Sequence, residues 1–169
     1  MMITSIITLL FSFLFQTISS NYAGYIYHDL SLFTTIYILI ALLVIKPYFE
    51  NEKKYLAVLI ITGFLMGITY TNAVFLNICL FIVVYYFSKL FHFYFPYNYL
   101  TINISTLIGI FIYHIASFFF LFAVGYDQYN FGNLLEILLH SIPMTLIYTT
   151  VLYFILDKLF HQLNLREIK

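Results

Sequence analysis

The chain has 169 residues, of which 63% are hydrophobic, 22% aromatic and only 8% charged, with seven basic and seven acidic residues and a formal net charge of zero. A water-soluble domain carries charge on roughly a quarter of its residues, so this composition excludes a soluble fold and makes lipid the main solvent. No basic block or acidic tail is present to hold a nucleic acid backbone, and nucleic acid is not expected as a partner.

Each crossing of a hydrocarbon core roughly 30 Å thick takes about 20 apolar residues, fewer if the bilayer thins. Taken in chain order, the apolar runs predict spans over residues 2–19, 30–45, 55–70, 73–91, 100–124 and 133–160. The first lacks a basic n-region and is followed by further spans, so it reads as a retained helix rather than a secretory signal. Lys46 and Pro47 end the second, and the charged loop Glu50, Glu52, Lys53 and Lys54 follows. The stretch from Tyr55 to Phe91 is too long for one crossing. It is expected to break at Tyr70-Thr71-Asn72, where three hydrogen-bonding side chains satisfy the backbone groups of a tight turn. Pro143 is expected to kink the sixth span. The single cysteine, Cys79, lies in an apolar run and reads as a small buried hydrophobe, with no internal disulfide or thiolate cluster possible.

Charge provides an independent test of the count, because Lys and Arg stay in cytoplasmic loops while Asp and Glu have little effect on orientation. With six spans and the amino terminus inside, Lys46, Lys53, Lys54, Lys89, Lys158, Arg166 and Lys169 all fall on the cytoplasmic side. Asp29, Asp127 and Glu136 fall on or near the outer side. The expected fold is therefore an all-α integral membrane protein, a single domain over residues 1–169 with six transmembrane helices, short loops and both termini cytoplasmic. Aromatic residues cluster at the boundaries, with Tyr22, Tyr25 and Tyr27 outside and Phe91, Phe93, Tyr94, Phe95, Tyr97 and Tyr99 inside, where their rings suit the headgroup layer.

Projected at 100° per residue, small and polar side chains gather on helix faces. In the fifth span Ser105, Thr106, Gly109, Tyr113, Ala116 and Ser117 share one arc, opposite Leu107, Ile108, Phe111 and Phe118. In the third, Gly63 and Gly67 lie on one side with Tyr70 on the same stripe, a spacing that allows close helix approach. Asn77 in the fourth span suits a cross-helix hydrogen bond. These residues are the candidates for helix packing or partner contact. Glu136 and His140, four residues apart, form a possible intramembrane polar pair, with His114 the only third group at comparable depth. No phosphate loop, nucleophile elbow or zinc pair occurs, so no enzyme activity, cofactor or metal is expected.

The order of features resembles the rod shape-determining MreD family, small bacterial membrane proteins with five or six helices. The likeness rests on Gln16 near the end of the first span, a short basic loop before the third, and the run Gly63-Phe64-Leu65-Met66-Gly67-Ile68. It continues in Ile108-Gly109-Ile110-Phe111-Ile112-Tyr113-His114 and in Ile142-Pro143-Met144-Thr145 before a basic tail. Two positions depart from that pattern: Thr71 and Asn72 stand where an acidic residue is common, and no Asn follows Pro143. The resemblance implies a nonenzymatic scaffold in the bacterial cytoplasmic membrane. Such a scaffold couples MreC-like and MreB-like proteins to the peptidoglycan synthases of the lateral wall, with membrane lipid as solvent and no small-molecule substrate. The alternative from another class is the substrate-binding membrane subunit of an energy-coupling-factor vitamin transporter. That subunit needs an enclosed polar pocket near the outer surface, where this chain offers only Asp29, Asp127, Glu136 and His140.

Overall fold

The computed structural model describes residues 2–26, 35–49, 51–71, 73–125 and 131–167. Among them six α-helices follow one another: α1 (Met2–Ile26), α2 (Tyr37–Ile45), α3 (Glu52–Met66), α4 (Val74–Tyr94), α5 (Tyr99–Ala123) and α6 (Phe131–Glu167). No strand occurs among the described residues. Four segments are long and apolar enough to cross a membrane: Glu52–Thr71, Val74–Tyr94, Tyr99–Ala123 and Phe131–Phe160. The described residues are thus almost all helical, which suits a membrane protein.

Local chemistry sets the helix ends. A 3₁₀ turn, Lys46–Tyr48, closes α2 at Pro47, which has no N–H to continue the helix. Asn51 caps α3, its Oδ1 accepting from the backbone N–H groups of Lys53 at 2.9 Å and Lys54 at 3.4 Å. At the far end of α3 the chain widens into a single π turn, Gly67–Thr71, and α4 starts at Val74. The long apolar stretch therefore breaks at Thr71; Asn72 itself lies outside the described residues. Asn98 and Thr101 form a reciprocal capping box that opens α5. The α6 helix continues through Pro143 and remains helical on both sides of it.

Contacts define an up-and-down arrangement in which consecutive long helices lie antiparallel. Gly63 faces Ile78 and Glu52 meets Lys89 across α3 and α4. Ser88 meets Ser105 across α4 and α5, and Thr106 meets Thr149 across α5 and α6. By contrast α2 runs parallel to α6, since Thr35, Tyr37 and Tyr48 meet Ser141, Tyr148 and Phe160 in rising order.

The short helix α2 is the centre of this arrangement. Its nine residues, Tyr-Ile-Leu-Ile-Ala-Leu-Leu-Val-Ile, are apolar on every face, and none is more than 4% exposed. A helix apolar all round belongs in a protein core or in lipid, and here α1, α4, α5 and α6 surround it. At 1.5 Å per residue the helix reaches about 14 Å, roughly half of a hydrocarbon core. The span expected over residues 30–45 therefore appears as a helix from Tyr37, with residues 30–34 outside the described set.

The outer surface is the reverse of a soluble protein's. Ile7, Leu10, Phe11 and Leu14 on α1, Ile61 on α3, Phe75 on α4, Phe119 and Phe122 on α5 and Leu139 and Ile147 on α6 are all more than half exposed. Continuous apolar exposure on this scale needs a lipid covering. Cys79 is on this exposed surface of α4, which corrects its reading as a buried hydrophobe. Its helix is apolar on both sides there, and hydropathy cannot distinguish core from lipid.

Truncating the central helix should cost far more than truncating the belt. Leu42→Ala is expected to destabilise the bundle by about 2–5 kcal/mol, the range for fully buried large-to-small changes. Phe119→Ala should stay within about 0.5 kcal/mol. Thermal or denaturant unfolding in detergent checks this, and equal losses would contradict a core centred on α2.

Candidate functional site

The residues singled out by face and spacing lie mostly between helices. A Cβ on Gly67 would fall 2.4 Å from the Val74 Cα, and one on Gly63 would fall 3.2 Å from the Ile78 Cα. Both positions therefore let the α3 and α4 backbones touch, as small residues do where no hydrophobic force draws helices together in lipid. Gly109 differs, because a Cβ there would meet side-chain ends, Val84 Cγ1 at 3.0 Å and Leu43 Cδ1 at 3.1 Å. Its lack of a side chain seats α5 against both α4 and α2. Ala116, further along the same face, packs on the core.

Hydroxyl and amide groups tie the same faces together. The Ser105 hydroxyl donates to Ser88 Oγ at 3.2 Å, and Thr106 pairs with Thr149 at 3.2 Å. Buried Asn77 accepts from the Tyr113 hydroxyl at its Oδ1 and donates through Nδ2 to Thr71 Oγ1 and to the Ala73 carbonyl. Tyr70 pairs with the Thr17 hydroxyl and donates to the Phe13 carbonyl at 3.3 Å, which holds the π turn against α1.

Two further ties were not read from helix faces. The Tyr148 hydroxyl donates to Ser12 Oγ at 2.7 Å, fastening α6 to α1. Gln16 Oε1 accepts from the Tyr37 backbone N–H at 2.8 Å. That N–H is one of the unpaired donors at the start of α2, so Gln16 acts as a helix cap supplied from another helix. Gln16 stood out in sequence only as a position in a family pattern, and nothing local to it signals a cap 21 residues away.

The Glu136–His140 pair has a different geometry from the one expected. His140 is half-buried and Glu136 is exposed, and the imidazole Nδ1 meets the Glu136 backbone carbonyl at 2.8 Å rather than its carboxylate. His114 lies half-buried on α5 with its ring edge-on to Tyr113, centroids 5.7 Å apart. Asp29 and Asp127 lie outside the described residues. Among the described residues no three His, Cys, Asp or Glu side chains come together in a way that would hold a metal ion.

Charge is concentrated at the opposite end, where the α2–α3 and α4–α5 connections meet. Glu52 Oε1 accepts from Lys89 Nζ at 2.5 Å and from the Tyr85 hydroxyl at 2.6 Å. Beside them Lys46 Nζ lies over the rings of Tyr85 and Tyr97, 5.3 and 5.9 Å from their centroids, and His92 stacks on Tyr97 at 3.7 Å. Burial, reinforced by Lys89 and partly offset by Glu52, pushes the Lys46 ammonium down to about 8. In the neighbouring turns burial raises the Tyr97 phenol, and burial with Asp157 nearby pushes Tyr48 up to about 12.

Comparison with family models, curated proteins and solved structures finds no match to this chain. Two outcomes follow from the geometry of the site. Gly67→Ala forces two backbones apart, whereas Gly109→Ala displaces only side-chain ends. Melting in detergent should place Gly67→Ala at or beyond the upper end of the roughly 1–3 kcal/mol typical of overpacking, and Gly109→Ala near the lower end. Similar losses would contradict the backbone contact. For Lys46, whose pKa in the unfolded chain is near 10.5, the unfolded state binds more protons above pH 8. Stability in uncharged detergent should therefore rise from pH 8 towards about 10, beyond which the raised tyrosines act in the opposite direction. Lys46→Met should flatten that rise, and a rise that persists in the variant would refute its assignment to Lys46.

Proposed function

We propose that this chain is a nonenzymatic, multi-pass scaffold of the bacterial cytoplasmic membrane, a component of the cell-elongation machinery in the manner of MreD. On this reading it has six spans and two cytoplasmic termini, and it holds MreC-like and MreB-like partners beside lateral-wall peptidoglycan synthases. The observation that carries the reading is the use of the bundle's interior. Its middle is filled by α2, and the small and hydroxyl-bearing residues that sequence singled out join helix to helix. Such an interior supports a rigid body whose outer faces and ends do the work. A vitamin-binding subunit would instead need convergent polar groups around a pocket.

Further support comes from the lysines. Lys46, Lys53, Lys54 and Lys89 gather at the end where α2 stops and α3 starts and where α4 gives way to α5. This is the distribution that the positive-inside rule requires of a cytoplasmic face.

Depletion in the rod-shaped host provides the test. The proposal expects cells to round up, vitamin uptake to continue, and an MreC-like protein to be recovered with the tagged chain from membranes. Cells that remain rods but lose uptake of one vitamin would overturn it in favour of a transporter subunit. Orientation is tested separately in a Cys79→Ser background. Cysteines placed at Lys53 and Lys89 should resist a membrane-impermeant thiol reagent in intact cells, and one at Glu136 should react. The reverse pattern would refute the orientation.

A further inference from the structure

Lys46 is a cation in an unusual position. It is half-buried in the turn after α2, and two aromatic rings, Tyr85 from α4 and Tyr97 from the α4–α5 connection, face its ammonium. Glu52 is the nearby carboxylate, but its Oε1 is already engaged by Lys89 and by Tyr85. Lys46 itself makes no ion pair among the described residues. The immediate surroundings thus hold two ammonium groups against one carboxylate. Across from them the His92 imidazole is stacked on Tyr97. Lys53 and Lys54 add exposed positive charge at the start of α3, beside an open groove lined by Asn51, Glu52, Lys53 and Leu56.

We propose that this end of the bundle is a binding site for the phosphate of an anionic phospholipid headgroup, with Lys46 as the recognising cation and Tyr85 and Tyr97 as its walls. Phosphate is the chemistry that fits: a lysine binds it as a point charge, and basic pockets between helices at a membrane face take anionic headgroups. A lipid is favoured over a free anion because the site opens onto apolar helix surface. On the membrane side of it, Val83 and Tyr86 of α4 are 50% and 54% exposed, which gives acyl chains an apolar surface to lie on. The lowered proton affinity of Lys46 is consistent with a charge whose counter-ion comes from outside the chain. The groups facing it are Glu52 of α3, Tyr85, Lys89 and His92 of α4, and Tyr97. The inference does not depend on the elongation role.

The test uses the full chain in detergent with defined lipid. Native mass spectrometry measures retention of phosphatidylglycerol against phosphatidylcholine, and melting measures protection by each lipid and by inorganic phosphate. Wild type should prefer phosphatidylglycerol, and Lys46→Gln should reduce that preference about fivefold, the worth of one lysine near an anionic surface. Lys53→Gln, at an exposed lysine of the same end, should change it less than twofold. The wild-type preference should be present at pH 7 and fall as pH rises past the Lys46 titration, whereas Lys46→Arg, always charged, should keep it. An unchanged preference in Lys46→Gln would overturn the site, provided that variant melts like wild type in phosphatidylcholine; a lowered melt transfers the decision to Lys46→Arg and its pH profile. Equal protection by inorganic phosphate and phosphatidylglycerol would overturn the lipid as occupant.

Discussion

Everything in this bundle is arranged around one constraint: a nine-residue helix, about half the length of a crossing, has its ends inside the bundle. Lipid could cover the sides of α2 as readily as protein does, so its place is set by close packing with α1, α4, α5 and α6 and by its ends. Its first backbone N–H has no partner within the helix and is met by Gln16 from α1; the Leu42 carbonyl near its other end, which already accepts from the Lys46 N–H, takes a second bond from the Tyr55 hydroxyl of α3 at 3.0 Å. In a medium without water each such group has to be satisfied from within the protein. A short helix leaves its ends inside the bundle, and the neighbouring helices must supply the caps.

The same constraint explains where the small and hydroxyl-bearing residues lie. Glycine lets backbones approach at Gly63 and Gly67, and serine, threonine and asparagine replace apolar contact with directed bonds at Ser88–Ser105, Thr106–Thr149 and Asn77–Tyr113. Hydroxyls that find no neighbour across a helix bond their own backbone one turn back, as Thr8 does to the Thr4 carbonyl at 2.9 Å and Thr62 to Val58 at 2.9 Å. Cross-helix bonds of this kind are each worth about 0.6 to 2 kcal/mol in membrane proteins. They act less as a source of stability than as a register, because each is made at one relative position of two helices.

Much of this architecture was legible before coordinates, and the reason is physical. Helix membership in lipid follows from apolar length, and the turn at Thr71 follows from the alternation of basic loops with apolar runs. The inward faces of α3 and α5 were legible because glycine and hydroxyl residues are conspicuous against leucine and phenylalanine. The centrality of α2 was hidden, since hydropathy scores a lipid-facing leucine and a core leucine alike. The misplacement of Cys79 has the same origin. Contacts between residues distant in sequence, such as Gln16 with Tyr37 or Ser12 with Tyr148, leave no local pattern. Helical spacing placed Glu136 and His140 on one face, yet it could not show that the imidazole takes the backbone carbonyl, because i and i+4 proximity offers both acceptors.

The charged end follows from the interior in a way the opposite end does not. Since α2 stops at Ile45, the chain turns at Lys46 before it has left the shelter of α4, and the lysine is held against Tyr85 and Tyr97 instead of extending into water. A longer α2 would carry the same lysine clear of the bundle. Lys53 and Lys54, at the start of α3, show the ordinary case: they are exposed. Lys89 is also about half exposed, and it is paired with Glu52. The sheltered cation is therefore a consequence of where a short buried helix ends, and its demand for an anion arises from the same geometry that packs the core.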